Sequence, residues 1–206
     1  MTGHPIFASI YDRLLADSER AGLREMRADL VHTAAGRTLE IGAGTGANLE
    51  FYPDGVTELV LSEPDPHMAK RLRIRLESTS RAAEVVAAGA EDLPFDDASF
   101  DTVVSTLTLC TVADPERAAA EAKRVLKPGG QFLFIEHVRD QEGTRRARWQ
   151  DRVERPWGWF AGGCHPNRDT RRLLVSTFET VESTGLEFPG SGTALVKPMI
   201  SGSARR

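Results

Sequence analysis

The sequence contains very little cysteine. Only Cys110 and Cys164 occur among its 206 residues, together with five histidines. Two cysteines cannot build the disulfide framework of a small secreted domain or a cysteine-rich zinc site. The histidines form no ligand cluster in the sequence, so we expect no metal site. A reducing compartment is therefore the expected location.

Long hydrophobic runs and an excess of basic residues are also absent. No run approaches the ~18 apolar residues of a membrane-spanning helix, and the first residues lack the features of a secretory signal. Lys and Arg total 26 against 30 Asp and Glu, a net charge of −4, whereas nucleic-acid-binding domains are usually strongly basic. These absences argue against a nucleic-acid binder and predict a cytoplasmic protein.

Apolar segments of strand and helix length alternate along the chain. This alternation is typical of a parallel sheet that helices cover on both faces, and the length fits one domain, residues 1–206. Helical spacing covers about 6–32 with a break near Gly22, and Asp114 and Pro115 predict the start of a later helix. The predicted strands are 38–41, 59–61, 85–88, 100–107 and 132–138.

A glycine-rich turn follows the first predicted strand. Gly42, Gly44 and Gly46 alternate with small residues, and glycine lets the backbone approach a ligand without a Cβ in the way. The spacing G-x-G-x-G differs from the dinucleotide fingerprint G-x-G-x-x-G, and no Gly-Lys-Ser/Thr of a P-loop follows. A turn from strand to helix lies at the carboxyl edge of the sheet, where ligands bind.

Two acidic residues indicate the kind of ligand. Glu40 stands two residues before Gly42, where it would repel a pyrophosphate and attract an ammonium group. Glu63 ends the second strand, 21 residues after Gly42, and suits a bidentate contact to ribose hydroxyls. An adenosine that carries an amino acid in place of phosphates satisfies both carboxylates. S-adenosylmethionine is such a ligand, and S-adenosylhomocysteine is its demethylated product.

Four motifs resemble those of the class I S-adenosylmethionine-dependent methyltransferases: residues 40–46, Glu63, residues 90–95 with 99–101, and residues 124–130. The resemblance implies a Rossmann-like α/β fold, a seven-stranded, mostly parallel sheet with an antiparallel last strand near 199–204. Many members have Asp or Asn where this chain has Gly89, so the adenine contact would fall to Ala90 and Glu91. The expected cofactor-binding residues are Tyr11, Glu40, Gly42, Ala43, Gly44, Gly46, Asn48, Glu63, Pro64, Met68, Ala90, Glu91 and Thr106.

A narrower resemblance involves the rest of the chain. Residues 48–53, 135–138, 163–168 and 195–200 are similar to motifs of the alkyl thiol S-methyltransferases. This likeness implies a soluble, bacterial-type enzyme that methylates a small, apolar thiol, either a natural product or a xenobiotic. Residues 1–36 would form a helical lid, and residues 139–177 a helical insertion around the substrate pocket. Methylation of a quinone or a phospholipid is an alternative, as is S-adenosylmethionine binding without catalysis.

Two histidines are candidates for the general base. His137 follows the fifth strand at the carboxyl edge, and His165 lies in a loop that contains two glycines. An imidazole of pKa ~6.5 can accept the proton of a thiol of pKa ~8.5. A structural role fits each histidine equally well.

The three tryptophans, Trp149, Trp157 and Trp159, lie within eleven residues among five arginines. This composition is typical of an amphipathic lid helix that packs on the sheet. It also fits an apolar substrate pocket or a peripheral contact with a membrane, since Trp and Arg favour interfaces.

Overall fold

The computed structural model of the protein describes residues 5–190 and 193–206, so residues 1–4 of the expected lid lie outside the described residues. The strands are β1 (Gly36–Ile41), β2 (Val56–Ser62), β3 (Glu84–Val86), β4 (Phe100–Thr106), β5 (Leu126–His137), β6 (Thr180–Glu187) and β7 (Pro198–Arg205). The helices are α1 (Pro5–Ser18), α2 (Arg24–Val31), α3 (Pro66–Glu77), α4 (Pro115–Val125), α5 (Arg145–Phe160) and α6 (Thr170–Thr177).

All seven strands belong to one sheet in the order β3-β2-β1-β4-β5-β7-β6. Strand β7 runs antiparallel to both of its neighbours, and the other neighbouring pairs are parallel. The predicted seven-stranded sheet with an antiparallel last strand is confirmed. The strand order reverses direction between β1 and β4, which is the switch point where open α/β sheets bind ligands.

The core consists of two apolar layers, one on each face of the sheet. Successive residues of β5 alternate between them: Phe132 and Phe134 pack with α4 and α6, whereas Leu133 and Ile135 pack with α2 and α3. Side chains of a strand point alternately to opposite faces. A strand buried on both sides therefore reads as a continuous apolar run, which is why the sequence pattern predicts these strands.

The N-terminal helices bend at the predicted position. Gly22 has a φ of 131° within the π-helical turn Glu19–Leu23 that joins α1 to α2, a conformation that glycine adopts readily. The start of α4 is also confirmed, because the Asp114 side chain accepts the N–H of Arg117 at 2.9 Å, with Pro115 in the first turn.

The segment after the glycine-rich turn differs from the expected helix. Successive turns follow β1, closed by hydrogen bonds such as Gly46 N–H to Ala43 C=O at 2.9 Å and Leu49 N–H to Gly46 C=O at 3.2 Å. Gly46 has a φ of 84°, outside the helical region. In the described residues, no helix has the length and apolar character needed to cross a bilayer.

Candidate functional site

A cavity of about 490 Å³ opens at the carboxyl edge of the sheet, where β1, β2 and β4 end. Nine of the thirteen residues predicted to bind the cofactor line it: Tyr11, Gly42, Gly44, Glu63, Pro64, Met68, Ala90, Glu91 and Thr106. The wall also contains residues that the site prediction did not include: Asp65, Gly89, Leu107, Thr108, Thr111, Val112, Ala113 and Gly162.

The glycine-rich turn requires glycine at two positions for different reasons. Gly42 has a φ of 62°, and a Cβ there would lie 2.5 Å from Cγ2 of Thr108. Gly44 has a φ of 59°, and the nearest atom to its Cβ would be the Gly42 carbonyl oxygen at 4.0 Å. A side chain at position 44 would therefore enter open space in the cavity, so its glycine leaves room for a ligand.

Glu63 holds this turn from the end of β2. Its Oε2 accepts the N–H of Gly44 and its Oε1 accepts the N–H of Asp65, each at 2.8 Å. Burial raises the pKa of the Glu63 carboxyl, while these two hydrogen bonds act in the opposite direction. Because each carboxylate oxygen can accept two hydrogen bonds, each retains a site for a ligand hydroxyl. The arrangement can bind a vicinal diol.

Glu40 lies behind the cavity wall. Its side chain is buried and accepts hydrogen bonds from Nδ2 of Asn48 and from the hydroxyl of Tyr52, both at 2.8 Å. Burial raises the pKa of Glu40 to about 7. The described wall includes neither Glu40 nor Asn48. The expected direct contact of Glu40 with a ligand ammonium group is not supported by this placement, because the carboxylate is directed at Tyr52 in the core.

A buried arginine connects this network to the cavity. Nη1 of Arg27 donates to Oδ1 of Asn48 at 3.1 Å and to Oγ1 of Thr106 at 2.9 Å. Nδ2 of Asn48 donates to the same Thr106 oxygen at 3.0 Å. Since Thr106 lines the cavity, Glu40 is linked to it through Asn48. No sequence signal points to Arg27, because arginines are usually exposed.

Two other predicted residues shape the turn from behind. The N–H of Ala43 donates to the carbonyl of Ser62 at 3.0 Å, which ties the turn to β2. A Cβ on Gly46 would lie 2.8 Å from both Leu49 and Leu72. Neither residue belongs to the described cavity wall. Ala43 and Gly46 therefore contribute to the site by fixing the path of the backbone through the turn.

The remaining walls come from three separate segments. Oε1 of Glu91 accepts the N–H of Ala113 at 2.8 Å, which joins the segment after β3 to the loop before α4. Tyr11 of α1 closes the cavity from the N-terminal side. Burial raises the pKa of Tyr11 to about 12, so its hydroxyl stays neutral at physiological pH.

The loop after β4 is held by a carboxylate that has no predicted role. Glu136 is fully buried, and its carboxylate accepts the hydroxyl of Ser105 at 2.7 Å and the N–H groups of Thr108, Leu109 and Cys110 at 3.0 to 3.3 Å. Burial raises the pKa of the Glu136 carboxyl, and these hydrogen bonds oppose the change. Three otherwise unpaired amides thereby gain an acceptor, which fixes the loop that carries the wall residues 107–113.

His137 does not reach the described cavity wall. Its ring is buried and packs against Phe188 with 4.8 Å between the ring centroids. Burial lowers the pKa of His137 to about 4, so the imidazole is neutral at physiological pH. This position argues against the predicted catalytic role, because the ring faces the core beside β7.

His165 lies in the loop that follows α5. Its backbone N–H donates to the carbonyl of Cys110 at 2.7 Å, and this hydrogen bond anchors the loop on the segment after β4. Its Nδ1 is hydrogen-bonded to Oε1 of Glu154 on α5. The ring is partly exposed, and Gly162 of the same loop lines the cavity. Like His137, the His165 ring is not part of the described cavity wall.

The predicted insertion contributes less to the cavity than expected. Within residues 139–177, the described wall contains Gly162 alone. Trp157 packs against the buried pair of free cysteines, Cys110 and Cys164, whereas Trp149 and Trp159 are exposed. The tryptophans therefore do not line the cavity as an acceptor pocket would require. The described residues also contain no group of three side chains placed to hold a metal ion.

Comparison with known proteins adds independent information. Residues 39–134 match a protein family described as "Methyltransferase domain". The chain is 34% identical to human thiol S-methyltransferase TMT1A over 203 residues, which is 96% of this chain and 82% of the relative. It is 40% identical to thiol S-methyltransferase TMT1B of Rattus norvegicus over 135 residues, 64% of this chain and 55% of the relative. The match thus spans about half the length of TMT1B.

A solved structure resembles the whole chain. It is an S-adenosylmethionine-dependent methyltransferase of Thermotoga maritima, described as a possible histamine N-methyltransferase. The two chains are 26% identical, the alignment covers 98% of each, and the TM-score is 0.69.

Proposed function

The chain belongs to the class I S-adenosylmethionine-dependent methyltransferases, and we propose that it transfers the methyl group of this cofactor to the sulfur of a small thiol. The observation that carries the proposal is the position of Glu63 in the cavity, bonded to Gly44 at the switch point of the sheet. The similarity to TMT1A over 96% of the chain supports a thiol as the acceptor.

The residues of the cavity fit the cofactor. The volume of about 490 Å³ lies in the range typical of small-molecule sites. Gly44 leaves open the space that a Cβ would fill, and Glu63 can accept the two ribose hydroxyls. Ala90 and Glu91 would bind the adenine, and Thr106 would lie near the amino-acid end, backed by Asn48 and Glu40.

S-adenosylmethionine supplies a methyl group already activated on a sulfonium. The task of the chain is to position the acceptor in line with that group and to deliver it deprotonated. Leu107, Val112 and Met68 give the cavity an apolar part. These side chains exclude water, which favours the reaction of a thiolate with a cationic sulfonium because charge is neutralised.

His165 is the base in this proposal. The carboxylate of Glu154 accepts a hydrogen bond from Nδ1–H of the ring and so fixes the tautomer. Nε2 is then the nitrogen that accepts the proton of the thiol. At neutral pH only a few per cent of an ordinary thiol is ionised, so removal of the proton raises the reactive fraction.

A labelled-methyl assay tests the acceptor. The protein is incubated with methyl-labelled S-adenosylmethionine and with small apolar thiols, a demethylated quinol or phosphatidylethanolamine. We expect label in the thiols alone. Label in the quinol or in the lipid instead would show that the labelled compound is the acceptor, and the proposal of a thiol would be wrong. Tight S-adenosylhomocysteine binding in calorimetry, without label in any acceptor, would indicate a binding module instead of an enzyme.

A second experiment tests the base. His165→Ala should lower kcat by about 10²- to 10⁴-fold. Glu154→Gln should have a smaller effect in the same direction. His32→Ala is the matched control, since the His32 ring is exposed and is hydrogen-bonded to the carbonyl of Asp29 at the end of α2. Unchanged turnover in His165→Ala would exclude this histidine as the base.

A further inference from the structure

The outer face of α5 exposes two tryptophans. Trp149 is 57% exposed and Trp159 is 81% exposed, whereas Ala147 and Gln150 of the same helix are fully buried. Tryptophan is a large, mostly apolar side chain, so its contact with water is unfavourable. Two such side chains on one helix therefore leave a large apolar surface in contact with water.

Arginines accompany these tryptophans on the same face. Helix α5 contains five arginines against the two acidic residues Asp151 and Glu154, although the chain as a whole has a net charge of −4. At 100° per residue, four of the arginines and the two exposed tryptophans fall within a sector of about 120°. These six exposed residues, called the α5 face below, are Arg145, Arg148, Trp149, Arg152, Arg155 and Trp159.

The charge of the α5 face is not neutralised within the described residues. None of its four arginines forms an ion pair with a described carboxylate. Asp151 is paired with Arg139 at 2.8 Å, and Glu154 is hydrogen-bonded to His165. The two acidic residues of the helix are therefore engaged away from the four arginines, which stay available to an anionic partner.

The α5 face lies next to the cavity along the chain. Trp159 is three residues before Gly162, which lines the cavity. A surface bound by α5 would thus be close to the entrance of the site, where an apolar acceptor has to arrive.

We propose that the α5 face docks on a membrane surface that contains anionic phospholipids. Arginine guanidinium groups bind phosphate oxygens in planar, bidentate geometry, and tryptophan rings lie at the boundary between headgroups and acyl chains. The cytoplasmic leaflet carries the negative surface potential that such a face requires. The inference does not rest on the identity of the methyl acceptor.

The composition favours a lipid surface over a nucleic acid. A nucleic-acid-binding domain usually has a strongly basic overall charge, but this chain is acidic, with 30 Asp and Glu against 26 Lys and Arg. Exposed tryptophans among arginines match the polar and apolar layers of a bilayer interface. Peripheral docking also agrees with the described helices, none of which has the length and apolar character of a membrane span.

Vesicle binding of the full chain tests the proposal. Vesicles of phosphatidylcholine alone are compared with vesicles that also contain phosphatidylserine, at low and at high salt. We expect sedimentation with the anionic vesicles, weaker at high salt, and a blue shift of tryptophan emission. Trp149→Ala with Trp159→Ala should abolish the shift. Arg148→Gln, Arg152→Gln and Arg155→Gln together should weaken binding at least tenfold.

A charge-matched variant separates the α5 face from general electrostatic attraction. Lys70→Gln, Arg71→Gln and Arg73→Gln remove the same charge from α3 and should leave vesicle binding unchanged. Circular dichroism establishes that each variant is folded. The proposal is wrong if the anionic vesicles do not bind, or if the α3 variant loses as much affinity as the α5 variant. The proposal is likewise wrong if the protein binds an oligonucleotide as tightly as it binds the anionic vesicles. It is also wrong if the α5 variant loses association between copies of the chain but keeps its vesicle binding.

Discussion

Glu63 at the end of β2 accepts the backbone N–H of Gly44 in the turn after β1, at a distance of 2.8 Å. This hydrogen bond fixes the glycine-rich turn at the point where the strand order reverses. The same carboxylate faces the cavity, so one side chain both shapes the turn and offers acceptors to a ligand. Binding of the cofactor should therefore depend on the negative charge of the Glu63 carboxylate and on its two acceptor oxygens.

Replacement of this carboxylate tests the relationship. In Glu63→Gln, an amide N–H₂ replaces one oxygen and faces the N–H of either Gly44 or Asp65, and it cannot accept a hydrogen bond from a ribose hydroxyl. Hydrogen bonds to charged groups contribute about 1.5–3 kcal/mol, so we expect S-adenosylhomocysteine to bind about 10- to 100-fold more weakly in isothermal titration calorimetry. Glu84→Gln on the exposed start of β3 should bind normally. Wild-type affinity of Glu63→Gln would contradict the assigned role.

The fold could be predicted because its signals are local. Apolar runs predict strands buried on both faces, and β5 shows this with Phe134 and Ile135 packing in opposite layers. Glycines at positions 42 and 44 indicate a turn that only unusual φ values allow. The resemblance supplied the antiparallel β7, because sequence spacing alone does not specify the direction in which a strand joins the sheet.

The site could be predicted only in part, since side-chain direction is a property of tertiary packing. Glu40 precedes the turn as expected, but its carboxylate is directed at Tyr52 instead of the cavity. Glu136 belongs to a motif of the narrower resemblance, yet its bonds to the amides of Thr108 and Leu109 depend on a loop of irregular backbone. His137 was expected at the carboxyl edge, but the pleat turns its ring towards Phe188.

The backbone at Gly42 should tolerate no side chain. In Gly42→Ala, the Cβ would lie 2.5 Å from Thr108, whose hydroxyl donates to the Ile41 carbonyl at 3.1 Å and so resists displacement. The φ of 62° adds strain for any residue with a Cβ. Together these effects should reduce the free energy of unfolding in urea by about 2 to 4 kcal/mol.

Gly185→Ala is the matched control for this change. Gly185 lies on the exposed part of β6, and apart from its two chain neighbours no described residue has a heavy atom within 4 Å of the Cβ that alanine would add. Its free energy of unfolding should stay within about 0.5 kcal/mol of the wild type. Equal stability of the Gly42 and Gly185 variants would mean that Thr108 can move aside and that the turn is less constrained than the geometry indicates.

Glu40 should make stability depend on pH near neutrality. Burial raises the pKa of Glu40 to about 7 from its ordinary value of 4.5, so between these values the folded state binds a proton that the unfolded state does not. The stability that the protonated Glu40 carboxyl contributes at low pH is therefore lost as the pH rises through about 7. The loss in the free energy of unfolding is about 3 kcal/mol, at 1.36 kcal/mol per pKa unit. Glu40→Gln cannot ionise and should lose less stability between pH ~5 and ~8 in urea titrations.

The difference between variant and wild type isolates this carboxyl, because Glu63, Glu136 and His137 titrate in both proteins. The amide of Glu40→Gln can still pair with Asn48, and the Tyr52 hydroxyl can accept from it as well as donate, so the variant should fold. Glu182→Gln, an exposed position on β6, should keep the wild-type pH dependence. If Glu40→Gln also keeps it, Glu40 is ionised throughout this range, and the donors Asn48 and Tyr52 together with the nearby charge of Arg27 outweigh its burial.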